Sequence, residues 1–468
     1  MKRYERYAQD LQELIQRGTL APGARLPSVR EASASRRISP STVFEAYYLL
    51  QARGLIESRP RSGFYVRSAA RTSRPQSRPE PPRSRAVAVS ELVFEVLSAT
   101  RRTDIAPLGS AFPSADLFPL PQLARAMSAG LRTLAPARIV ADLPPGNEQL
   151  RRQIALRYAR IGVAVDADDI LITNGALEAL TLSLQTVTRP GDAVIVETPT
   201  FYAALQALER LGLKAIELPC DRDTGLDLAA LSRTLRRQRV AAAWLMPSFQ
   251  NPLGSSMPAE RRRELVALLA AHDVPLIEDD VYAELYHGPH APLPAKAFDR
   301  RGLVLTCGSF SKCLSPGYRV GWVVGGRYAQ ALERAKIMTT LSTAVPSQQA
   351  LTEYLAHGSY DRHLRSLRRT LARQADLAAR LATRHFPAGT RLSAPQGGYF
   401  LWVEFPESVD TLKLHTLALE QGISTAPGRL FSAEPRFAHC MRLNFGHPRD
   451  ARFEPALRTV GALATTLR

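Results

Sequence analysis

Apolar positions in the first part of the chain follow helical spacing and then form short strands. They recur at helical intervals over 4–15. Two more helices are predicted behind Ser28, which has a glutamate three residues later, and behind Ser39, which precedes a proline. Two short apolar segments follow within 55–66, separated by a basic turn. Residues 1–67 are therefore predicted to form three helices and a β-hairpin.

Beyond about residue 90, short continuous apolar segments alternate with helical patterns. The segments predicted to be buried strands are 170–172, 193–196, 242–245 and 303–305. Strands separated by helices predict an α/β domain with a mostly parallel central sheet. Residues 68–88 are rich in Ser, Arg and Pro and poor in apolar residues, which predicts a linker. The predicted organisation is therefore a domain at 1–67, a linker at 68–88 and a large domain at 89–468.

The positive charge of the chain is concentrated near its N-terminus. The 468 residues carry a net charge of +18. Residues 1–88 contain 17 Lys and Arg against 7 Asp and Glu, a difference of +10. Such a concentration is typical of a domain that binds a polyanion such as nucleic acid, although a solvated basic surface explains the charge alone equally well.

The cysteines and the hydropathy pattern set limits on the class of protein. The four cysteines are scattered, with no Cys-x-x-Cys spacing, so we expect neither a disulfide framework nor a zinc or other metal site. The sequence contains no signal-peptide pattern and no run of 18 apolar residues. We therefore expect a cytoplasmic protein that does not span a membrane.

One segment, from Ser309 to Trp322, carries the clearest chemical pattern. It places Lys312 between hydroxyl side chains and puts Arg319 seven residues further on. A lysine amine can form a Schiff base with an aldehyde, and hydroxyls and a guanidinium can bind a phosphate. The segment resembles the cofactor-lysine motif of fold-type I pyridoxal-phosphate enzymes, the aspartate aminotransferase superfamily. The resemblance implies that Lys312 is the Schiff-base lysine and the proton shuttle, and that Ser309 and Arg319 bind the phosphate.

Companion motifs follow in the order expected for that superfamily over about residues 100–468. Gly175 follows a predicted strand and opens a helix, so the free N–H groups of Gly175, Ala176 and Leu177 form an anion site. The family often has a glutamine where Leu177 stands. The family also has a tyrosine that reaches the phosphate across the dimer interface, and Ala141 occupies that position here.

The resemblance assigns further roles around the cofactor ring. It implies that Phe201 stacks on the pyridine, with Tyr202 as the alternative. Asn251 corresponds to the residue that hydrogen-bonds the phenolic oxygen, and Tyr282 to a second donor. Asp279 corresponds to the carboxylate that pairs with the pyridine nitrogen and keeps it protonated.

Three other charged residues are interpreted in the same framework. Arg442 corresponds to the arginine that binds a substrate α-carboxylate bidentately. An unpaired arginine in an apolar strand is costly, which favours that role over a structural one. Glu278 and Asp280, on either side of Asp279, are expected to be surface or helix-end groups.

The N-terminal unit has the winged helix-turn-helix order, and its motifs resemble the GntR class of bacterial DNA-binding domains. The similarity covers residues 4–67 and includes the segment GTLAPGARLPSVRE at 18–31. It implies that the start of the third helix lies nearest the bases or the backbone, through Ser39, Ser41, Thr42 and Phe44. It implies phosphate contacts by Arg25 and Arg30, and contacts from the wing by Arg59 and Arg61. A solvated polar surface is the alternative for each residue.

The N-terminal unit departs from the GntR pattern in its second helix and in the turn that follows. Ala32 and Arg36 stand where the family usually has leucines, and Arg37 replaces the turn glycine.

The combined layout resembles the MocR-type subfamily of GntR regulators, in which a DNA reader is joined to an aminotransferase-like domain. This implies a homodimeric transcriptional regulator that binds a double-stranded DNA operator and pyridoxal 5′-phosphate, and that responds to an amino acid or amine. The alternative is a working aminotransferase with an accessory DNA-binding domain, because Lys312, Asp279 and Arg442 are all present.

Overall fold

The computed structural model describes residues 2–16, 20, 23–59, 63–66, 85–86, 90–91, 93–94, 104–448 and 450–468. The chain divides into two compact units, Met1–Glu80 and Pro81–Arg468. Most of the predicted linker lies outside the described residues.

The N-terminal unit contains the predicted three helices and hairpin. They are α1 (Arg3–Gln16), α2 (Val29–Arg36), α3 (Pro40–Ala52), β1 (Ile56–Arg59) and β2 (Gly63–Val66), with β1 and β2 antiparallel. Ser28 caps α2 through a capping box, and the Ser39 side chain accepts from the backbone N–H of Thr42 at the start of α3. Both predicted helix starts are confirmed.

The core of this unit is built around one aromatic residue of α3. Tyr47 is fully buried and its ring contacts those of Tyr7 and Phe64. Its hydroxyl donates to the backbone carbonyl of Pro27 at 2.7 Å, so the buried polar group has a partner.

The departures from the GntR pattern have visible consequences. Ala32 is fully buried. Arg36 pairs with Asp10 at 3.4 Å and lies 5.6 Å from the centre of the Tyr7 ring. Arg37 adopts the left-handed conformation, with φ 51° and ψ 46°, at the end of α2. A side chain in that conformation strains the turn where glycine would not.

Among the described residues, the large unit contains one long mixed sheet and two smaller sheets. Its strands are β3 (Arg85–Ala86), β4 (Ala106–Pro107), β5 (Ile170–Thr173), β6 (Ala193–Thr198), β7 (Lys214–Asp221), β8 (Gly225–Leu226), β9 (Ala242–Leu245), β10 (Leu276–Asp279), β11 (Val304–Ser309), β12 (Gly321–Val324), β13 (Arg391–Leu392), β14 (Phe400–Glu404), β15 (Ile423–Ser424), β16 (Ala426–Pro427) and β17 (Cys440–Asn444). The main sheet has the order β3-β7-β6-β9-β10-β11-β12-β5, with β8 paired to β7.

The centre of the main sheet is parallel, as the alternating pattern predicts. Strands β7, β6, β9, β10 and β11 run parallel, whereas β12 is antiparallel to both of its neighbours. Residues 85–86, which belong to the predicted linker, form β3 and pair with β7. A smaller antiparallel sheet has the order β13-β14-β17-β16.

Helices cover the sheets and bury their apolar side chains. They are α4 (Leu120–Thr133), α5 (Pro136–Ala141), α6 (Glu148–Arg160), α7 (Ala176–Val187), α8 (Tyr202–Arg210), α9 (Leu228–Arg237), α10 (Ala259–Ala271), α11 (Ala329–Thr339), α12 (Val345–Ala356), α13 (Ser359–His385), α14 (Thr411–Glu420) and α15 (Phe453–Thr466). Within the described part of the chain, no helix combines the length and hydropathy needed to cross a membrane.

The register of the sheet brings the predicted phosphate-binding residues to one edge. Ser309, at the end of β11, is opposite Gly321 of β12, and Gly321 is opposite Thr173 of β5. Asp279 ends β10 and is opposite Cys307 of β11. The ends of three strands therefore meet where the sequence predicts a cofactor.

Candidate cofactor and DNA-binding sites

Lys312 lies just beyond β11 and is partly buried. Its Nζ donates to the carbonyl of Ala111 at 2.9 Å and lies 3.9 Å from the centre of the Phe112 ring. Burial lowers the pKa of Lys312 to about 7, and the neighbouring positive charge of Arg442 acts in the same direction. A substantial fraction of the amine is therefore unprotonated at neutral pH, which is the form that attacks an aldehyde.

Asp279 is buried at the end of β10. Burial raises its pKa to about 7, and this is opposed by a hydrogen bond from the backbone N–H of Val281 and by the charge of Lys312. Its Oδ1 has no hydrogen-bond partner among the described residues. A buried acceptor without a partner is costly, so a cationic N–H donor at this position would stabilise the carboxylate.

Arg442 lies on β17 and is fully buried. Its Nη1 donates to Asn251 Oδ1 at 3.0 Å, and its Nη2 donates to the carbonyls of Gly109 at 2.9 Å and Ser110 at 3.3 Å. The guanidinium carbon lies 4.3 Å from the centre of the Phe400 ring. Within the described residues Arg442 forms no ion pair, and its Nε has no acceptor. Its buried charge is therefore held by amide and carbonyl dipoles and by the aromatic rings of Phe400, Phe431 and Tyr202.

The predicted phosphate site lies at the start of α7. Gly175 has φ +88°, and no side chain caps the helix. Arg319 Nη2 donates to the carbonyl of Asn174 at 3.0 Å, and a Cβ at Gly175 would approach that nitrogen to 2.5 Å. Ala176 follows as the first helical residue, and the side chain of Leu177 is half exposed. The free helix start and the guanidinium lie together, as an anion site requires.

Two hydroxyl side chains near Lys312 are further candidates for the predicted phosphate site. Ser309 is buried, and its Oγ accepts from the backbone N–H of Ser311 at 2.9 Å. Ser311 is also buried, and its own Oγ has no partner among the described residues. Sequence reasoning did not single out Ser311, although its place between Ser309 and Lys312 was a usable signal.

Two aromatic residues were considered for stacking on a cofactor ring. Tyr202 is buried, and its ring lies 5.9 Å from that of Phe431 in the core. Phe201 is only partly buried, with its ring centre 4.8 Å from that of Tyr202. The greater exposure of Phe201 favours it for the stacking role. Tyr282 is buried and packs edge-on against Tyr399, 5.5 Å between ring centres.

Residues 109–112 were missed by the sequence analysis. Their carbonyls accept hydrogen bonds from Arg442, Lys312 and Tyr399, and Asn444 Nδ2 donates to two of them, at 2.9 and 2.7 Å. The segment is distant in sequence from each of these donors. Because backbone carbonyls carry no residue signature, only the fold reveals these contacts.

The expectation that Glu278 and Asp280 are surface or helix-end groups is wrong, because neither residue belongs to a helix and neither is exposed. Glu278 is fully buried and accepts from the Thr306 hydroxyl at 2.8 Å and from the backbone N–H of Lys296 at 3.3 Å. Asp280 is half-buried, and its Oδ1 has no partner among the described residues. The burial of both carboxyl groups follows from the position of β10 inside the sheet. The chain does not reach the surface at the carboxyl end of this strand.

The described buried polar atoms fit pyridoxal phosphate. Asn251 Nδ2 lacks an acceptor, Asp279 Oδ1 lacks a donor and Ser311 Oγ has no partner. A phenolic oxygen, a protonated pyridine nitrogen and a phosphate are groups of complementary chemistry. The amine of Lys312 has the lowered pKa that such chemistry needs.

Helix α3, which the sequence predicts to lie nearest the DNA, presents a polar start and an aromatic pair. Ser39 Oγ lies 2.9 Å from Ser41 Oγ and 2.8 Å from Thr42 Oγ1. Phe44 is 42% exposed and its ring stacks near that of Tyr48, which is 62% exposed. Sequence reasoning named Phe44 but not Tyr48, although a spacing of four places both on one helix face.

In the N-terminal unit, here called the reader, the residues predicted to contact DNA phosphates lie near the helix starts and the hairpin. Arg30 is exposed in the first turn of α2. Arg25 is exposed and forms an antiparallel bridge with Tyr65 of β2. Arg61 lies outside the described residues, and so does the side chain of Arg59.

Comparison with known proteins shows the family. Residues 3–66 match the model of bacterial regulatory proteins of the gntR family, and residues 111–459 match aminotransferase class I and II. The chain is 46% identical to the uncharacterized HTH-type transcriptional regulator YdcR of Escherichia coli (strain K12), over 99% of both chains. The chain belongs to the GntR regulators of MocR type, which are DNA-binding regulators with an aminotransferase-like domain.

Solved structures support the same assignment for the large domain. The multiple substrate aminotransferase from Thermococcus profundus matches with a TM-score of 0.74 and 28% identity, covering 80% of this chain and 94% of that one. LysN, the α-aminoadipate aminotransferase from Thermus thermophilus, matches with a TM-score of 0.72 and 30% identity at the same coverage. Family and fold indicate pyridoxal phosphate as the cofactor of this domain.

Proposed function

We propose that this regulator senses an amino acid or amine through its aminotransferase-like domain, and that capture of this compound changes its affinity for double-stranded DNA. The observation that carries the proposal is the fully buried guanidinium of Arg442, which has no ion-pair partner in the described residues and lies close to Lys312. Such a charge is favourable when an anionic group binds it. An amino acid offers a carboxylate for Arg442 and an amine for the cofactor.

Each residue around the cofactor has a proposed role. When bound, pyridoxal phosphate supplies an aldehyde and an electron-withdrawing ring. The proposed phosphate ligands are the N–H groups of Gly175, Ala176 and Leu177, the Ser309 hydroxyl and Arg319. The proposed ring contacts are Phe201, Asn251, Asp279 and Tyr282. Lys312 provides the reactive amine and holds a proton near the substrate Cα.

We propose that the reader binds operator DNA through α3. Ser39, Ser41, Thr42 and Phe44 would lie nearest the DNA bases, and this is supported by the exposure of the helix start. Arg25 and Arg30 would bind phosphates, and Arg61 in the wing would contact the DNA backbone or the minor groove. Because phosphate contacts release counterions, binding should weaken steeply with salt. A cytoplasmic location is part of this proposal, since the target is genomic DNA.

We propose that the regulator is a homodimer. Two groups of large apolar side chains are exposed on the aminotransferase-like domain. The first is Ile139, Val140 and Leu143, and the second is Ile337, Met338 and Leu341. Met338 is 85% exposed and Val140 is 84% exposed. Exposed apolar patches mark contact surfaces, and a second copy of the chain would cover them.

The alternative function is that of a working aminotransferase with an accessory reader. One observation favours it: Lys312, Asp279 and Arg442 lie in one buried region, and the lysine pKa is lowered to about 7. Rapid multiple-turnover transamination with unchanged DNA affinity would make this reading correct.

Two parallel titrations, one followed by visible absorbance and one by DNA affinity, test the proposal. The full-length protein, loaded with pyridoxal phosphate, is screened against amino acids and simple amines by visible absorbance. DNA affinity is measured in parallel, with a fragment selected by the protein from a random pool. We expect one or more compounds to change both readings. Arg442→Ala should abolish both responses to carboxylate-bearing compounds while basal DNA binding stays near wild type.

A matched variant and a matched ligand complete the design. Arg442→Lys keeps the charge but loses the bidentate geometry, so it reports whether geometry or charge matters. An amine without a carboxylate should give the same absorbance change in wild type and in both variants. If Arg442→Ala also abolishes the response to such amines, the proposed role of Arg442 is wrong.

A further inference from the structure

A cavity of about 410 Å³ lies behind the cofactor region, between α6, α13 and the ends of β10 and β11. Of the residues proposed to hold the cofactor, Ser309 lines it, whereas Lys312, Asp279 and Arg442 do not. Its apolar wall includes Ile154, Tyr286 and Trp322. This volume is in the range of small-molecule pockets.

The charged side chains of the cavity are unevenly paired. Arg157 donates to Glu284 at 2.6 Å and to Asp361 at 3.1 Å, and Arg160 also pairs with Asp361. Arg368 donates to the carbonyl of Glu284 at 2.7 Å. The carboxylates of Glu284 and Asp361 are therefore already paired with arginines of the cavity wall.

One arginine of the cavity has no such partner. Arg365 is exposed and, within the part of the chain that the structure describes, forms no hydrogen bond or ion pair. Arg368 stacks on the ring of Tyr286, with its guanidinium carbon 3.6 Å from the ring centre. The cavity thus offers a free cation on helix α13 next to an apolar wall.

The inner part of the cavity is polar. Asp280 lines it, and its Oδ1 is buried without a partner in the described residues. Burial, followed by the charge of Glu278, raises the pKa of Asp280 well above its usual range, which favours the neutral carboxyl. The lining contains four arginines, Arg157, Arg160, Arg365 and Arg368, against three carboxyl groups, Asp280, Glu284 and Asp361, so the cavity carries excess positive charge.

We propose that this cavity is a second ligand site, which binds a small carboxylate with an apolar body. Arg365 binds the carboxylate, and the apolar body lies against Ile154, Tyr286 and Trp322. Such a ligand needs no amine. This distinguishes it from the amino compound proposed to react at Lys312. The site also shares Ser309 with the proposed phosphate ligands, so its occupant lies next to the cofactor.

Calorimetry on the full-length protein loaded with pyridoxal phosphate tests this site. The probe is 3-phenylpropionate, which has a carboxylate and an apolar body but no amine, and its amide is the neutral control. We expect Arg365→Gln to weaken 3-phenylpropionate binding by roughly tenfold, as for the loss of one charge-assisted hydrogen bond. Arg362→Gln, an exposed arginine of the same helix outside the cavity, should leave it unchanged.

Two further variants separate this site from the cofactor site. Ala291→Phe fills the cavity and should abolish binding, whereas binding should survive in Arg442→Lys. The inference is overturned if wild type shows no binding at about 10 mM probe, a concentration that detects even weak sites. It is equally overturned if Arg442→Lys abolishes binding while Arg365→Gln and Ala291→Phe do not. Because Arg365 is exposed, its substitution does not endanger the fold.

Discussion

Substitution of Gly175 by alanine should strain the backbone at the start of α7 and displace the guanidinium of Arg319. Gly175 has φ +88° and ψ 168°, a conformation that costs other residues roughly 1–3 kcal/mol. The added Cβ would also lie 2.5 Å from Arg319 Nη2 and 3.0 Å from its Cζ. The guanidinium must therefore move away from the start of α7. The variant should lose both folding stability and cofactor affinity.

The expected loss of affinity follows from the phosphate contact that we propose for Arg319. A hydrogen bond to a charged group contributes about 1.5–3 kcal/mol. If Gly175→Ala removes the contact of Arg319, the dissociation constant of pyridoxal phosphate should rise roughly 10- to 150-fold. Arg319 is exposed, so solvent screens its charge and the lower part of this range is expected.

A second glycine provides the control. Gly162 has φ +79°, and a Cβ there would meet no atom within 4 Å. Gly162→Ala should therefore lower the free energy of unfolding by about 1–2 kcal/mol without changing cofactor affinity. The assay is titration of the cofactor-free protein followed by absorbance, with thermal unfolding of the same samples. Equal cofactor affinities of the two variants would refute the reasoning.

Three more predictions concern Lys312 and the reader. Covalent capture of pyridoxal phosphate, followed by stopped-flow absorbance, should speed up as the pH rises through about 7 and then level off, because Lys312 loses its proton there. Lys312→Ala should give no borohydride-reducible adduct, and a rate that rises only near pH 10 would contradict the lowered pKa. Arg37→Gly should raise the free energy of unfolding of the reader by about 1 kcal/mol, since it relieves the left-handed turn. Arg53→Gly, at a right-handed helix end, should not stabilise it. Arg30→Ala should lower DNA affinity for all sequences and reduce its salt dependence, whereas Thr42→Ala should mainly alter sequence preference, as measured by selection from a random pool. The proposed roles would be wrong if Arg30→Ala mainly altered sequence preference and Thr42→Ala lowered affinity for all sequences.

Local chemistry explains what the sequence could predict. Helix starts depend on a few adjacent residues, and both Ser28 and Ser39 cap the helices that follow them. The strand ends near Asp279 and Ser309 were predictable because continuous apolar segments precede them. The parallel sheet then brings these ends together.

The features that sequence reasoning missed depend on distant parts of the chain. Nothing near residues 109–112 indicates that Arg442 and Asn444 hold their carbonyls. Glu278 looks like a surface carboxylate in the sequence, but Thr306 of the neighbouring strand donates to it inside the sheet. Such partners are set by strand order, which a local pattern does not contain.

Linkage between ligand and DNA gives the most direct test of the central claim. The probe is an α-methylated amino acid, which can react through its amine but has no Cα proton to lose, so no turnover disturbs the equilibrium. By thermodynamic linkage the factor by which the ligand changes DNA affinity equals the factor by which DNA changes ligand affinity, so the two titrations check each other and the size of the shared factor measures the coupling.

The measurement is therefore a pair of titrations on the full-length protein loaded with pyridoxal phosphate. DNA affinity is measured with and without saturating ligand, and ligand affinity with and without saturating DNA. The account predicts equal factors that differ from one in wild type, and no coupling in Arg442→Ala for the carboxylate-bearing ligand. A ligand that reacts at Lys312 while both factors stay at one would contradict the account.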